Sequence, residues 1–379
     1  MKVPIIGGFS IISQAPSIYG NIIQIIMVKH KKAVVLMSGG VDSTASAIIM
    51  KNRGYDVIGV TLDMRSDILV RIDGYCDYVR SFIDSAKNIT GLLNIEHRVV
   101  DASLLFKEKV VLPFIRMYSE GSTPNPCTLC NPLVKFRIAL DVAKEVGASV
   151  IASGHYALTG EYKGRKVIMR GVVLDKEQSY FLWGLDREII EMVEFPVGLM
   201  SKDDVMKIVQ EAGIRIERGE SQDVCFLRNT GVGDFIREFA RQREGDIVDL
   251  YGNVLGAHRG IAYYTVGQRE GLGIGGSGPW FVISIDAKKN RIVVGKEEQL
   301  YRSSVDVCDV NINACETDDI PERVSLQIRY RSVAGPAQIS AIRDSRAVVT
   351  FERPVKAIVP GQSAVIYDGD VLLGGGVIK

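Results

Sequence analysis

The stretch VVLMSGGVDSTAS, residues 34–46, constrains the fold more than any other part of the chain. An apolar run ends in small and polar residues, and these open directly into a helix-like segment. In an open α/β sheet, ligands bind beyond the carboxyl ends of the strands. Gly39 and Gly40 let the backbone come close to such a ligand, and the amides that follow begin a helix, which favours an anion. Ser38 and Ser43 add hydroxyl donors, and Asp42 is placed to hold a Mg²⁺ that bridges phosphates. A plain strand-to-helix turn needs one glycine, not the whole SGGVDS string. The Walker pattern GxxxxGK[ST] is absent from the sequence, so the string reads as a different kind of nucleotide loop.

The flanking pattern supports a sheet of parallel strands. Buried strands are expected at 33–37, 57–62, 96–101 and 148–153. Helices are expected at 42–53, 77–90 and 103–119, with Gly54 and Gly91 as stops for the first two. After a loop GSTPNPCTLCNP, a helix over 133–146 puts Val134, Ile138, Val142 and Val146 on one face. This alternation predicts an α/β fold with an open, mostly parallel sheet. Past residue 215 the rhythm changes. A helix is expected at 232–244, then strands with glycine-rich turns; VSLQIRYR (324–331) alternates strictly. That predicts a small central domain followed by a C-terminal antiparallel β-barrel. GLGIGG (271–276) matches GxGxxG, but a strand and not a helix follows it, so it reads as a hairpin connection. The expected division is a leader or alternative-start segment at 1–29, a nucleotide-binding domain at 30–215, a central domain at 216–280 and a barrel at 281–379.

Residues 3–28 carry no charge, yet they contain Pro4, Pro16, Gly7, Gly8, Gly20, Gln14, Asn21 and Gln24. They make a poor membrane-spanning helix, so no membrane association is expected and Met27 is the expected working start. The 379 residues suffice for two or three domains with real cores. A net charge of +1 supplies no global field, so any nucleic acid must be bound through local patches and shape. Six cysteines in this length do not make a disulfide scaffold. Cys76, Cys127, Cys130 and Cys225 fall in the half that reads as cytosolic, where thiols are more often catalytic or metal-binding.

SGGVDS is similar to the pyrophosphate loop of ATP pyrophosphatases that adenylate carbonyl oxygens. Within that group the chain resembles the tRNA-specific 2-thiouridylases, on GSTPNPCTLCN, ASGHYA, KEQSYFL, ESQDVCFL, HRGIAYYTVGQREGLGI and IRYRS in that order. The resemblance runs from about residue 33 to the C-terminus. It implies cytoplasmic, ATP- and Mg²⁺-dependent 2-thiolation of the wobble uridine of tRNA. ATP adenylates the C2 oxygen, and sulfur from a cysteine persulfide displaces AMP. It implies that Leu36, Met37, Ser38, Gly39, Gly40, Val41, Asp42, Ser43, Leu62 and Gly154 meet ATP. It implies a persulfide on Cys225, later attacked by Cys130 to give a disulfide, and a sulfur-donor protein such as a cysteine desulfurase or relay. Asn125, Pro126 and Cys127 resemble the loop that meets the target base; Lys176, Glu177, Gln178, Arg329 and Tyr330 resemble tRNA contacts.

Two departures stand out. Cys127 stands where the family often has Asp, and Pro132 where it usually has a basic residue. Cys127, Cys130 and Cys225 together match the thiolate count of a 4Fe-4S cluster with one open iron, an alternative route to the same thiolation. Another carbonyl-adenylating ATP pyrophosphatase is the second alternative, and a non-catalytic tRNA-binding scaffold the third. Tyr330 shares a strand face with Leu326 and Ile328, which argues for a packed ring, whereas Arg329 falls on the polar face.

Overall fold

A computed structural model describes residues 31–216, 224–227, 230–275 and 278–379. The expected leader lies outside the described residues. The chain opens with β1 (Lys32–Leu36), α1 (Val41–Asn52), β2 (Asp56–Asp63), α2 (Tyr75–Leu92) and β3 (Glu96–Asp101). α2 is longer than expected and keeps Gly91 inside its last turn. Next come α3 (Ser103–Phe106) and α4 (Leu112–Ser119), joined by a π turn at Lys107–Val111. α5 (Pro126–Cys130) runs through a second π turn, Asn131–Lys135, into α6 (Phe136–Val146). After β4 (Val150–Ala152) come the hairpin β5 (Ala157–Tyr162) and β6 (Arg165–Arg170), α7 (Arg187–Met192), β7 (Val193–Glu194) and α8 (Lys202–Glu211).

The first sheet has the order β3-β2-β1-β4-β7, with every pair parallel. Val34, Val35, Val60 and Ile151 are fully buried in it, as strands covered on both faces require. The chain steps outward from β1 to β3 and then returns to β4 on the other side of β1. The crevice beyond the carboxyl ends of β1 and β4 is therefore the topological switch point.

After α9 (Val232–Phe239) a four-stranded sheet follows: β8 (Gly245–Val248), β9 (Val254–His258), β10 (Phe281–Asp286) and β11 (Arg291–Gly295), in the order β10-β11-β8-β9. Two expectations need correction here. Residues 281–295 belong to this sheet, not to the barrel: β11 pairs with β8, and Ile247, Val282, Ile292 and Val294 share one core. The described part of GLGIGG lies between β9 at one edge and β10 at the other, so it is not a hairpin connection.

The barrel comprises β12 (Tyr301–Ile312), β13 (Val324–Gln327), β14 (Gly335–Ile339), β15 (Ala347–Lys356), β16 (Ser363–Asp368) and β17 (Val371–Ile378). It closes because β12 pairs with β15 along its first part and with β17 along its second. Gly374 makes the seam feasible, since a Cβ there would fall 2.1 Å from the Asn311 carbonyl oxygen. β6 adds to the outside of β17 through Val371 and Met169, so the first domain lends a hairpin to the barrel sheet. The strand expected over 324–331 stops at Gln327. Beyond Ile328 the chain turns, with Arg331 in the left-handed region at φ 65°.

Candidate active site

SGGVDS occupies the switch point. Gly39 has φ +72°, and a Cβ there would lie 2.7 Å from that of Ser85 on α2. The loop thus passes where only glycine fits. Ser43 Oγ donates to the Gly40 carbonyl at 3.0 Å and lies 3.2 Å from both Ser38 N and Ser38 Oγ. Across the crevice, Gly154 follows β4; a Cβ there would sit 2.7 Å from the Asp42 carbonyl carbon. Leu36 ends β1, Met37 follows it and Leu62 stands near the end of β2, so they too lie at the carboxyl edge. Val41 is the first residue of α1.

Asp42 has partners that the sequence reading missed. Its carboxylate accepts from Lys202 Nζ at 2.8 and 3.0 Å and from the Tyr156 hydroxyl at 2.8 Å. Lys202 is the first residue of α8, fixed by a capping box between Ser201 and Asp204. The Ser-Lys-Asp-Asp string signals the helix start, but nothing local signals its distant carboxylate.

The two Cys motifs converge on one buried site. The Cys127–Cys130 pair is not in a loop as expected. Pro126 fits the first helical position, and Asn125 Oδ1 caps α5 by accepting from Cys127 N at 3.1 Å. Cys130 is 5% exposed. Cys225 is brought to it by its neighbour Phe226, whose buried ring packs against Phe106, Phe114 and Phe235. Burying a ring of this size stabilises the docked segment by about 2 kcal/mol. All six cysteines are free thiols.

Burial pushes the Cys130 thiol up to about 11, against the opposing effect of Lys135. Burial, with Cys130 and Cys127, pushes Cys225 up to about 12. Burial works against the Lys135 ammonium, but Cys130, Cys127 and Cys225 outweigh it and hold its pKa above the ordinary lysine value. Lys135 was missed in the sequence. It ends the π turn that follows Cys130, and such a turn shifts the register by one residue relative to an α-helix. Burial and Lys135 together push His155 down to about 3, so this ring is neutral. His155 adjoins Gly154, which links the thiol site to the nucleotide loop.

The expected RNA positions divide. Glu177 is 6% exposed and paired with Arg170 at 3.3 Å; it also accepts from Ser179 N at 2.5 Å. In this structure the Glu177 carboxylate faces the interior. Arg170 also donates to Gln327 Oε1 at 3.1 Å and lies 3.6 Å over the Tyr367 ring. Gln178 Oε1 accepts from Tyr156 N at 3.0 Å. Tyr330 lies past the end of β13, and its ring packs against Phe181 at 4.4 Å between centroids. Arg329 is exposed, and Lys176 is near enough to Tyr330 to act on its phenol electrostatically.

Known proteins resemble this chain over most of its length. Family models match as a tRNA methyl transferase HUP domain over residues 31–229, a tRNA methyl transferase PRC-barrel domain over 233–296 and an aminomethyltransferase beta-barrel domain over 302–378. The tRNA-specific 2-thiouridylase MnmA of Clostridioides difficile (strain 630) is 39% identical over 359 residues, covering 93% of this chain and 99% of that protein. The chain belongs to the tRNA-specific 2-thiouridylase family. The MnmA proteins of Clostridium acetobutylicum and Acidithiobacillus ferrooxidans are each 38% identical over 355 residues, covering 92% of this chain and 100% and 98% of those proteins. The matched segments coincide with the three structural units, including the assignment of 281–295 to the central sheet.

Proposed function

We propose that the chain carries out ATP-dependent 2-thiolation of the wobble uridine of tRNA, with Cys225 and Cys130 as the sulfur-handling pair. One observation carries the residue assignment: two Cys motifs far apart in sequence share one buried site, joined through His155–Gly154 to the nucleotide loop. In this reading ATP lies along Ser38–Ser43, with its phosphates toward the start of α1. The C2 oxygen of uridine attacks the α-phosphate, and pyrophosphate leaves. A terminal persulfide sulfur on Cys225 then attacks C2 and AMP departs with the oxygen. The Cys130 thiolate attacks Cys225 Sγ, the persulfide bond breaks, the thiocarbonyl forms and a Cys130–Cys225 disulfide remains. An external dithiol reduces it, and a sulfur-donor protein reloads Cys225.

Asp42 is the carboxylate that would hold a Mg²⁺, and it would do so by giving up Lys202 Nζ, which now lies 2.8 and 3.0 Å from its two oxygens. The ion would neutralise phosphate charge there. Among the described residues, no three His, Cys, Asp or Glu side chains are grouped to hold a single metal ion. Exposed Arg329, with Lys176, supplies charge for tRNA phosphate. Among the described residues, no helix is long and apolar enough to cross a membrane.

The test is incubation of the full chain with ATP, Mg²⁺, a persulfide donor and tRNA, followed by pyrophosphate assay and nucleoside analysis. The expected result is pyrophosphate release that requires tRNA, with 2-thiouridine formed at the wobble position. Pyrophosphate release indifferent to tRNA would remove the reading.

A further inference from the structure

Thr123 lies two residues before Asn125, the cap of α5, and it is gripped from outside its own domain. Its amide donates to the Pro360 carbonyl at 2.7 Å. Its carbonyl accepts from Gln362 Nε2 at 2.7 Å. Between these two bonds Gly361 has φ +90°, and a Cβ there would lie 3.0 Å from both N and C of Thr123. Only glycine allows so close a pass. The Pro360–Gln362 segment is itself fixed to the last barrel strand, since Gly361 N donates to Ile378 O and Ile378 N to Gln362 O, both at 2.8 Å.

The central domain holds the same lead-in from another side. Thr123 Oγ1 and Thr265 Oγ1 are 3.1 Å apart, and a Cβ on Gly121 would fall 2.8 Å from Ile285 Cγ2. The π turn joins the far end of α5 to α6, so the lead-in through Thr123 is what sets the near end of α5. Cys127 and Cys130 are on it.

We infer that Gln362, with the Pro360–Gly361 turn, is a positioning device: the barrel aligns the Cys130 helix for sulfur transfer. Gln362 does not touch the reacting atoms; it acts through Thr123. The inference rests on the sulfur-transfer reading for its chemical consequence. Displacing a nucleophile by about 1 Å costs on the order of 10²-fold in rate, whereas adenylation uses the loop on β1, which this strap does not touch.

Gln362→Ala and Gln362→Glu are the informative variants, made in the full chain. Gln362→Glu removes the donor to the Thr123 carbonyl at unchanged size, so it keeps the test open where Gln362→Ala fails to fold. Hydrogen exchange over residues 121–130 reads the strap without any activity. It is expected to quicken about tenfold in both variants, while β1 and β2 stay protected. In the reaction, 2-thiouridine formed per pyrophosphate released is expected to fall about tenfold, and Gln362→Lys, which restores a donor, to recover it. Unchanged exchange over 121–130 in both variants overturns the inference. So does quickened exchange with an unchanged thiouridine-to-pyrophosphate ratio. A wild-type chain that makes no 2-thiouridine removes the sulfur-transfer reading instead, and exchange still decides whether the strap exists.

Discussion

The nucleotide loop and the thiol site are built in opposite ways. Ser38–Ser43 is one continuous stretch whose donors come from adjacent residues and whose serines bond within the loop. The thiol site joins α5, the π turn after it and the Cys225 segment through a cluster of phenylalanine rings. The first keeps its polar groups at the mouth of a crevice. The second buries thiols in the core, where their charged forms are disfavoured until something pays that cost. A local site tolerates distant change and fails when its own residues change. An assembled site fails when any contributor shifts.

The largest expected effect separates the two. Cys225→Ser should abolish 2-thiouridine, by more than about 10³-fold, and leave tRNA-dependent pyrophosphate release near normal. Nucleoside analysis beside a pyrophosphate assay reads both; residual thiolation at the wild-type rate removes Cys225 from the chemistry.

Asp42→Ala attacks the other site. Pyrophosphate release should fall about 10²-fold, as for loss of one preorganised charge, while Cys130 and Cys225 alkylate as before. A change in alkylation would mean that the two sites are not separable. Lys135→Met tests the charge inside the thiol site. Lys135 opposes the burial that raises Cys130. Without it the thiol pKa rises further, and since only the thiolate alkylates, the pH–rate profile must move alkaline. A one-unit move slows alkylation at pH 8 about tenfold. A profile that stays in place would show that Lys135 does not reach the sulfur atoms.

Glu177→Ala and Arg329→Ala sharpen the distinction between interior and surface. The first leaves half-buried Arg170 with only Gln327 and the Tyr367 ring and should cost about 2 kcal/mol of stability, visible as a lower Tm. The second should leave Tm unchanged, weaken tRNA binding several-fold and reduce the salt slope by about one. A Glu177→Ala chain of normal Tm would return that residue to the RNA surface. The smallest effect is expected from Cys127→Asp. Without a cluster it should keep activity within about threefold and bind no iron after anaerobic reconstitution. Iron-dependent activity lost in this variant would establish the cluster.

Much of this architecture was legible because it rests on short-range pattern. The strands β1 to β4 fell where apolar runs end in turns, and SGGVDS marked the switch-point loop before any coordinates. Errors gathered where neighbours in space decide. The CxxC segment read as loop because Pro-rich polar sequence usually is; Pro126 at a first helical position with Asn125 as cap made it helix. Residues 281–295 were assigned to the barrel because one antiparallel hairpin looks like another until its partner strand is known. Glu177 was expected at the tRNA on resemblance alone, and its burial against Arg170 at the end of β6 was not legible in the sequence.

The sequence by itself determined the parallel sheet, the nucleotide loop and the presence of two cysteine motifs, since strand period, glycine turns and helix starts are set by residues within a few positions of one another. Tertiary structure alone decided that Lys202 faces Asp42, that Lys135 shares a site with Cys130 and Cys225, and that the barrel grips Thr123. These contacts depend on how separate elements pack, and packing is fixed by the burial of side chains that no local window contains.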